Sequence, residues 1–347
     1  MKVQPDRLRE VAIHILKGLK ATEEEAAVVT DSLVQADMRG IDTHGVHLLK
    51  VLSERVDAGM LQIPTNLKVL KESDATTLID GANGLGQVAV HKAMMMSIKK
   101  ARDFGLGCSL VRNTNNIGIL TFYTLMAARE GMIGIVMSNA APAMSPWGGA
   151  EAFFGTNPIS VAIPGDAEDP AIVLDMSSSV VARGKIRRAA RLKEKIPEGW
   201  AFDESGAPTR DADKALKGTL MPIGGPKGSG LAMVVDVLAG LLSGSKYGSE
   251  VVTFHQLMGP TGVGVFTLAI DIERFMDRNQ FRKLAQSYFT TIKASKKADG
   301  ISRIYLPGEI EFEKEKESVK EGIEIGEGTV KSINLLLERM KSPLRLS

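Results

Sequence analysis

The sequence lacks three features: a second cysteine, an excess of charge of one sign, and a long apolar run. Its single cysteine, Cys108, excludes a disulfide within the chain and lies in an apolar run, as a small core residue does. The formal net charge is only +2, which disfavours nucleic acid or an anionic membrane as a partner. The N-terminus has no apolar signal segment, and no run approaches the ~20 apolar residues of a membrane span. We therefore expect a soluble, cytoplasmic protein.

The chain is long enough for two or three domains, and both of its ends have helical patterns. Pro5 precedes an apolar series with helical spacing, and Thr22 with Glu25 has the spacing of a capping box. The second helix ends near Gly40, and the C-terminal segment Thr329–Met340 returns to the helical pattern. Helices at both ends, around a central α/β region, indicate that the termini pack into one domain.

The central region alternates short apolar runs with helical segments. Residues 182–218 are basic and polar, which indicates a small subdomain, and Leu231–Leu242 is apolar on all sides, which predicts a buried helix. The predicted strands are Leu67–Leu70, Thr76–Ile79, Cys108–Val111, Ile133–Met137, Ile159–Ile163, Ile172–Leu174 and Thr261–Asp271, and the predicted helices between them are Val88–Arg102 and Leu120–Arg129.

The long connection between two of these strands, within Asn139–Ile163, is rich in proline, glycine and asparagine. Such residues fix the backbone or allow unusual backbone angles. Long loops without regular structure are uncommon in compact domains and are usually functional, although a rigid surface connection is the alternative.

Five polar segments have the composition of a functional site. A histidine at a helix start can exchange a proton near neutral pH, and amide-rich or glycine-rich turns at helix starts can bind anions. Local hydrogen bonding or helix capping is the alternative for each. The segments are His44 with its neighbours, Val111–Gly118, Leu174–Ser179, Gly224–Gly230 and Leu306–Glu309.

A sixth segment, Gly84–Ala89, fits the dinucleotide-binding fingerprint Gly-x-Gly-x-x-Ala between a strand and a helix. That fingerprint also needs an acidic residue at the end of the next strand, where this chain has Val111-Arg112-Asn113. A tight turn between strand and helix is therefore the favoured interpretation.

Together these segments resemble the type-2 malate/L-lactate dehydrogenase family, which is distinct from the Rossmann-fold malate and lactate dehydrogenases. The order of the motifs matches the family from about residue 5 to residue 340. The resembling segments are Asp37–Gly45, Arg112–Gly118, Pro142–Gly149, Gly155–Pro158, Leu174–Met176, Ala182–Lys185, Ile196–Trp200, Gly224–Gly228 and Pro307–Glu309.

The resemblance implies an α/β (α+β) fold without a Rossmann domain. A mainly antiparallel sheet would bind the cofactor, flanked by a helical domain formed by both termini. The implied domains are helical at 1–72 and 310–347, cofactor-binding at 73–181 and 225–309, and a small inserted subdomain at 182–224.

The resemblance also implies the site residues. The catalytic positions are His44, as proton donor to the substrate oxygen, Thr43 and Asn116. The cofactor positions are Asn113, Gly118, Thr156, Asn157, Asp175, Met176, Ser177, Lys227, Gly228, Pro307, Gly308 and Glu309. No metal is expected, and His44 is predicted to be the only titrating histidine in the site, with His14, His47, His91 and His255 in structural roles.

Two positions depart from the family pattern. Asn116 stands where the family usually has histidine, and Leu48 stands where it usually has an arginine that holds a substrate carboxylate. Leucine cannot pair with a carboxylate, so simple dicarboxylates should bind poorly unless another cation, such as His47, Lys50 or Arg183, compensates. Leu48 is predicted either to alter substrate choice or to fill the helix core.

The implied activity is hydride transfer between NAD or NADP and C2 of a small 2-oxo or 2-hydroxy acid of the malate, lactate or sulfolactate kind. Family members are usually homodimers. A dinucleotide-binding paralogue with little turnover, a reductase of a related imine or keto-sugar acid, and a Rossmann protein using Gly84 are the alternatives. His44 and the cofactor-loop motifs favour the dehydrogenase.

Overall fold

The computed structural model describes residues 1–165 and 172–346 of the chain. These residues form eleven α-helices, together with short 3₁₀ turns and a π-helical segment, Asp236–Leu241. The helices are α1 Pro5–Gly18, α2 Glu23–Met38, α3 Leu48–Asp57, α4 Gly86–Phe104, α5 Thr121–Arg129, α6 Arg183–Leu192, α7 Ala212–Lys217, α8 Pro226–Val235, α9 Arg278–Ala294, α10 Glu309–Glu321 and α11 Glu327–Arg339. No helix among these residues is long and apolar enough to cross a membrane.

The central feature is a seven-stranded sheet whose order is β2-β3-β4-β10-β5-β6-β7. Every neighbouring pair is antiparallel except β3 and β4, so the prediction of a mainly antiparallel sheet is confirmed. The strands are β1 Lys2–Val3, β2 Lys68–Glu72, β3 Thr76–Asp80, β4 Leu106–Thr114, β5 Met132–Ser138, β6 Ile159–Ile163, β7 Ile172–Met176, β8 Ala201–Phe202, β9 Pro208–Thr209, β10 Val263–Asp271 and β11 Ile323–Glu324.

Both ends of the chain contribute to one helical core. β1 pairs with β11, and the apolar faces of α1, α2, α3 and α11 form a single buried cluster. The capping box predicted for α2 is present: the Glu25 N–H donates to the Thr22 hydroxyl, and the Glu25 carboxylate accepts the Thr22 N–H. The spacing of apolar residues thus predicted these helices correctly, and the burial of their apolar faces against one another joins the N-terminal and C-terminal segments.

The parallel pair explains the Gly84–Ala89 segment. It leads from the connection after β3 into the first turn of α4, in a strand-helix-strand unit, but its glycines are covered by protein. A Cβ added to Gly86 would lie 2.3 Å from the Asn116 carbonyl oxygen, and one added to Gly84 would lie 2.3 Å from the Thr65 side chain. These glycines allow close packing of the chain on itself, so the tight-turn interpretation stands and the Rossmann alternative does not.

The segment 182–224 packs around a small apolar cluster that it shares with the 139–158 loop and α8. α6, β8, β9 and α7 enclose apolar side chains that include Ile186 and Leu220, and Met144 from the 139–158 loop joins them. The predicted buried helix at Leu231–Leu242 needs correction. Helix α8 runs into the π-helical segment, and one side of the pair is open to solvent, because Met233, Val234, Val237, Leu241 and Leu242 are each 43–59% exposed.

Candidate functional site

A 3₁₀ turn, Asp42–His44, carries the predicted proton donor between α2 and α3. Asp37, at the end of α2, accepts the Val46 N–H at 2.8 Å across this connection. A Cβ added to Gly45 would lie 1.8 Å from Asp37 Oδ1, so only glycine fits beside this carboxyl group. Burial raises the pKa of Asp37 to about 7, although the Val46 bond opposes the rise. Asp37 and Gly45 therefore fix the direction in which the turn presents His44.

The imidazole of His44 is partly exposed, and its Nδ1 lies 3.0 Å from the Thr43 hydroxyl. Burial by surrounding protein, together with smaller effects of nearby His47 and His255, lowers the pKa of His44 to about 4, while Asp42 opposes this shift. At neutral pH the ring is therefore neutral when the site holds no anion. Its Nε2 has no hydrogen-bond partner among the described residues, so this nitrogen is free to meet a substrate oxygen.

Two further histidines lie near His44, which the prediction of a single titrating histidine in the site did not include. His47 and His255 lie close enough to affect its pKa, and burial lowers the pKa of each of them in turn. His255 comes from the loop before β10, more than 200 residues further along the chain. Sequence spacing gave no signal for this approach, because only the tertiary fold brings that loop to the start of α3.

Leu48 does not line the site. Its side chain is 1% exposed and belongs to the helical core, with Leu49 and Leu52 in the same cluster. This contradicts the prediction that Leu48 contacts substrate and confirms the alternative that it fills the core. An apolar side chain at the first residue of α3 gains more by facing the core than by facing the solvent. Lys50, one of the predicted compensating cations, pairs with Glu54 at 3.1 Å.

At the far edge of the sheet, Asp175 on β7 binds the start of α5. The Thr121 N–H and hydroxyl both donate to Asp175 Oδ2, at 2.8 and 2.6 Å. Asp175 is exposed as a residue, although surrounding protein desolvates its carboxyl group. This desolvation raises the pKa of Asp175, while the Thr121 bonds and the nearby Arg39 oppose the rise. Oδ1 remains available for a ligand such as a ribose hydroxyl.

Arg39 connects this edge with the helical core and was missed in the sequence. It lies at the end of α2, is 3% exposed, pairs with Glu315 at 2.8 Å and stacks over the Phe312 ring at 4.4 Å. Its Nε has no partner among the described residues. The Asp-Met-Arg-Gly segment gave no signal for this, because the burial of Arg39 and its contacts with Glu315 and Phe312 are visible only in the structure.

The Pro307–Glu309 turn lies directly beside β7. The Val173 N–H donates to the Pro307 carbonyl at 3.1 Å, and Gly308 adopts a positive φ of 90° with its Cα next to Val173. Glu309 accepts the Leu306 N–H at 2.9 Å and also pairs with Lys293 and Arg303. The turn and the Asp175 strand, which are far apart in sequence, therefore share one edge of the sheet.

The glycine-rich loop before α8 leaves Lys227 exposed at the start of that helix. Gly228 is required here, because an added Cβ would lie 2.3 Å from the Ile223 carbonyl oxygen. The Trp147 ring, from the 139–158 loop, covers Gly225, and the backbone N–H of Trp147 donates to the Ser229 hydroxyl at 3.0 Å. A free lysine beside helix N–H groups is a suitable partner for a phosphate.

Asn157 is placed differently from its predicted role. It is fully buried, its Oδ1 accepts the Ala140 N–H at 3.0 Å, and its Nδ2 donates to the Ala232 carbonyl at 2.9 Å. Because both polar ends are used and no side-chain surface is free, direct contact between this side chain and a cofactor is contradicted. Asn157 instead ties the 139–158 loop to α8.

The remaining predicted cofactor positions fall into two groups. Thr156, Met176 and Ser177 are half-buried next to Asp175, where the Thr156 carbonyl accepts both the N–H and the hydroxyl of Ser178 at 2.8 Å. Asn113 lies at the end of β4, four strands away, and its Nδ2 contacts Asp80 at 3.3 Å. The structure thus does not bring Asn113 together with Asp175.

Asn116 and Gly118 follow β4 in the connection to α5. Asn116 is half-buried, and its Oδ1 accepts the Gly118 N–H at 2.9 Å. Gly118 has a φ of 70°, and an added Cβ would lie 2.7 Å from the Ser32 hydroxyl of α2. These residues therefore shape the junction between the sheet and the helical core.

The segment 177–184 follows the Asp175 strand and contacts both the His44 turn and the chain just before the glycine-rich loop. A Cβ added to Gly184 would lie 3.5 Å from Thr43 Cγ2, which places the start of α6 against the His44 turn. Arg183 donates to the Leu216 carbonyl at 2.6 Å. Further back, the Ser178 carbonyl accepts the Ile223 N–H at 2.9 Å, four residues before Lys227. One short segment thus links the His44 turn, the Asp175 strand and the glycine-rich loop.

Comparison with known proteins agrees with this arrangement. A family model described as malate/L-lactate dehydrogenase matches residues 3–334. The chain is 37% identical to malate dehydrogenase of Pyrococcus horikoshii over 98% of its own length and 96% of that protein. It is 39% identical to L-sulfolactate dehydrogenase of Methanocaldococcus jannaschii, over 94% of this chain and 93% of that one.

Solved structures show the same similarity. The sulfolactate dehydrogenase structure from M. jannaschii superposes with a TM-score of 0.94, covering 99% of this chain and 98% of that one at 36% identity. Malate dehydrogenase from Entamoeba histolytica gives a TM-score of 0.95 at 31% identity, covering 100% and 99% of the two chains.

Proposed function

Because this chain belongs to the malate/L-lactate dehydrogenase family, we propose that it transfers a hydride between NAD(H) or NADP(H) and C2 of a small 2-hydroxy or 2-oxo acid. The observation that carries the proposal is His44, an accessible imidazole on a turn fixed by Asp37 and Gly45, held against the segment that leads to Asp175.

The bound cofactor supplies or accepts the hydride at the substrate carbon. In the reduction direction, His44 donates a proton to the oxygen that becomes a hydroxyl group. In the oxidation direction, its neutral ring accepts the hydroxyl proton, and Thr43 orients the ring by its contact with Nδ1. Asn116 lies where a histidine is usual in the family and does not titrate, so it has no part in this proton transfer.

A spectrophotometric screen tests the proposal. Purified protein is mixed with NADH or NADPH and a series of 2-oxo acids, and the absorbance of the reduced cofactor is followed; 2-hydroxy acids with the oxidised cofactors test the reverse direction. Turnover of at least one acid by the wild type supports the proposal. Cofactor binding without turnover of any acid in the series would favour a binding protein instead.

We also propose that the cofactor lies along the 73–181 and 225–309 part of the chain, between Asp175, the Lys227 loop and the Pro307–Gly308 turn. The helical domain of 1–72 and 310–347 would supply His44, and 182–224 would cover the cleft. Contacts from β7 to Pro307 and from Ser178 to Ile223 support this arrangement, since they hold the three segments together.

Lys227→Ala is expected to weaken binding of the reduced cofactor by roughly 10-fold or more, because one charge-assisted contact to phosphate is lost. The exposed side chain has no described partner, so the melting temperature should be unchanged. Titration calorimetry with NADH and NADPH measures the effect. Lys217→Ala, at the end of α7, is the control for loss of one exposed lysine, and equal affinity of the Lys227 variant and wild type would refute the proposed phosphate contact.

We propose, finally, that the chain forms a homodimer through the exposed side of α8 and the π-helical segment. Several large apolar side chains there, Val237 and Leu241 among them, are 43–59% exposed, and burial of such a face stabilises association. Leu241→Glu should convert a dimer to a monomer in sedimentation experiments. Leu335→Glu, an exposed position on α11, is the control and should leave the dimer intact; a monomeric wild type would contradict the proposal.

A further inference from the structure

Helix α10 lies between the Asp175 edge of the sheet and the end of α2, and none of its side chains is buried in the described parts of the chain. Its ion pairs at the surface, such as Arg303 with Glu313, are exposed and stabilise the helix little. Three of its half-buried residues are spaced three apart and share one face of the helix: Phe312, Glu315 and Ser318. The position of α10 therefore depends mainly on the contacts of this face.

The start of α10 is attached to β7. The Val173 N–H donates to the Pro307 carbonyl at 3.1 Å, and a Cβ added to Gly308 would lie 3.1 Å from the Val173 carbonyl oxygen. Phe312, one turn further along, packs against a buried cluster that contains Val173 and side chains of α5 and β6. Val173 lies two residues before Asp175 on the same strand, so α10 and the proposed cofactor strand form one unit.

The same face of α10 also holds the end of α2. The buried guanidinium of Arg39 pairs with Glu315 at 2.8 Å and lies 4.4 Å from the centre of the Phe312 ring. The Ser318 hydroxyl donates to the Met38 carbonyl at 2.9 Å. Phe312 thus contacts both the β7 cluster and Arg39, and it joins the edge of the sheet to the end of α2.

The end of α2 leads directly into the His44 turn. Only four residues separate Arg39 from His44, and backbone hydrogen bonds hold this stretch in one conformation. The Ile41 N–H donates to the Ala36 carbonyl at 2.9 Å, which closes the end of α2, and the His44 N–H donates to the Ile41 carbonyl at 3.0 Å. A shift of Arg39 would therefore move His44 with it.

Stability alone does not explain an arginine at position 39. An apolar side chain could fill the same space without the cost of burying a charge, and such replacements often leave stability unchanged or higher. The buried Nε of Arg39 finds no hydrogen-bond partner in the part of the chain that the structure describes. What an apolar side chain lacks is direction: a planar guanidinium that pairs with a carboxylate and stacks on a ring holds both partners in one arrangement.

We propose that Arg39 is a positioning residue, which sets the place of the His44 turn relative to the cofactor strand through Glu315 and Phe312 of α10. The inference rests on the proposed dehydrogenase function and adds a buried residue that acts through others. Catalytic groups must be held within about 0.5 Å of the productive geometry, and a displacement of ~1 Å can cost about 100-fold in rate. Loss of Arg39 should therefore affect the chemical step more than cofactor binding.

The first measurement needs no turnover, because NMR titration of the full-length protein reports the pKa of His44 directly. Burial by the surrounding protein is the main cause that holds this pKa at about 4. If Arg39→Met releases the turn, the pKa of His44 should rise toward its ordinary value of ~6.5. The other groups that act on the ring, Asp42, His47 and His255, are unchanged in this variant.

The second measurement uses the 2-oxo acid that the wild type reduces fastest. Arg39→Met should lower kcat on the order of 10- to 100-fold, while the dissociation constant of the cofactor stays within a few-fold of wild type. Glu315→Gln should act in the same direction with a smaller effect. Arg39→Lys, which keeps the charge but not the planar contact, should restore part of the rate.

Two controls separate positioning from stability. Arg9→Met breaks another arginine pair of α2, with Asp31 at 3.2 Å, and Leu337→Ala opens a cavity in the helical core. At temperatures where the variants are folded, both should keep the wild-type kcat and the wild-type pKa of His44.

An unchanged pKa of His44 in Arg39→Met would overturn the proposal, and so would an equal fall of kcat in either control variant. A wild type that turns over no acid would count against the dehydrogenase function instead. In that case the NMR comparison still decides whether Arg39 positions the His44 turn.

Discussion

His44→Ala is expected to lower turnover by about 10²–10⁴-fold, the usual contribution of a positioned general acid or base. Affinity for the cofactor should change little, because His44 lies on the Asp42–His44 turn and not among the proposed cofactor segments. The accessible Nε2 and the contact between Thr43 and Nδ1 give the ring one free nitrogen for this role.

The pH dependence gives a second signature of His44. Because the pKa of His44 is about 4 in the unliganded protein, its imidazole is almost entirely unprotonated at pH 7. Reduction requires the protonated ring, so kcat/KM for reduction should fall as pH rises above about 4. A bound anionic substrate favours the charged ring, so the break in kcat should lie at higher pH than the break in kcat/KM. Oxidation, which requires the neutral ring, should show the opposite trend.

Rate measurements across pH in both directions, with stopped-flow binding of the cofactor, separate these effects. His14→Ala is the control, since it removes a histidine from α1 in the same helical core and should preserve rate and pH profile. If His44→Ala retains wild-type turnover with the same pH profile, another group transfers the proton and the assignment to His44 is incorrect.

Arg55→Leu is expected to destabilise the protein by roughly 3–5 kcal/mol, because three backbone carbonyls lose their charged donor and each unpaired buried group costs about 1–3 kcal/mol. Its guanidinium is fully buried and is the donor for three backbone carbonyls of the 254–259 loop. Leucine would remove the cost of burying the charge but would leave those carbonyls without partners. The loss of the carbonyl partners outweighs the relief of charge burial, because the packing of Phe254 keeps the loop in place and limits the access of water.

Lys50→Ala on the same helix is the matched control. Its exposed pair with Glu54 has the i,i+4 spacing and should contribute only ~0.3–0.5 kcal/mol. Chemical denaturation measures both variants, and hydrogen exchange of residues 254–259 should increase in Arg55→Leu alone. A free energy of unfolding within about 1 kcal/mol of wild type, with unchanged exchange, would show that the loop holds its position without Arg55.

The helical ends and the strands could be read from the sequence because their signals are local. The spacing of apolar residues predicted α1 and α2, and Thr22 with Glu25 marked the start of α2 to the residue. The strand prediction at Ile159–Ile163 matches β6 at both ends. Local rules failed for Leu231–Leu242, where apolar residues on all sides indicated burial but one side is exposed. Periodicity reports how apolar a helix is, and it does not report which neighbours cover it.

The prediction of a mainly antiparallel sheet came from resemblance, since no spacing rule distinguishes such a sheet from a parallel one. The Gly84–Ala89 segment shows why: it lies in a true strand-helix-strand unit with the right glycines, and yet the Asn116 backbone and Thr65 fill the space that a cofactor would need. A fingerprint specifies backbone freedom, whereas the structure decides whether a ligand or another part of the chain uses it.

The sequence by itself determined the order of the elements, the turn that carries His44, and the lysine-containing loop before α8, because each depends on residues within a few positions of one another. Only the tertiary structure decided that Leu48 faces the core, that Asn157 uses both polar ends in hydrogen bonds to the protein, and that His255 lies near His47. The physical reason is that burial and electrostatics depend on distances in space, and here those distances join residues separated by up to 208 positions along the chain.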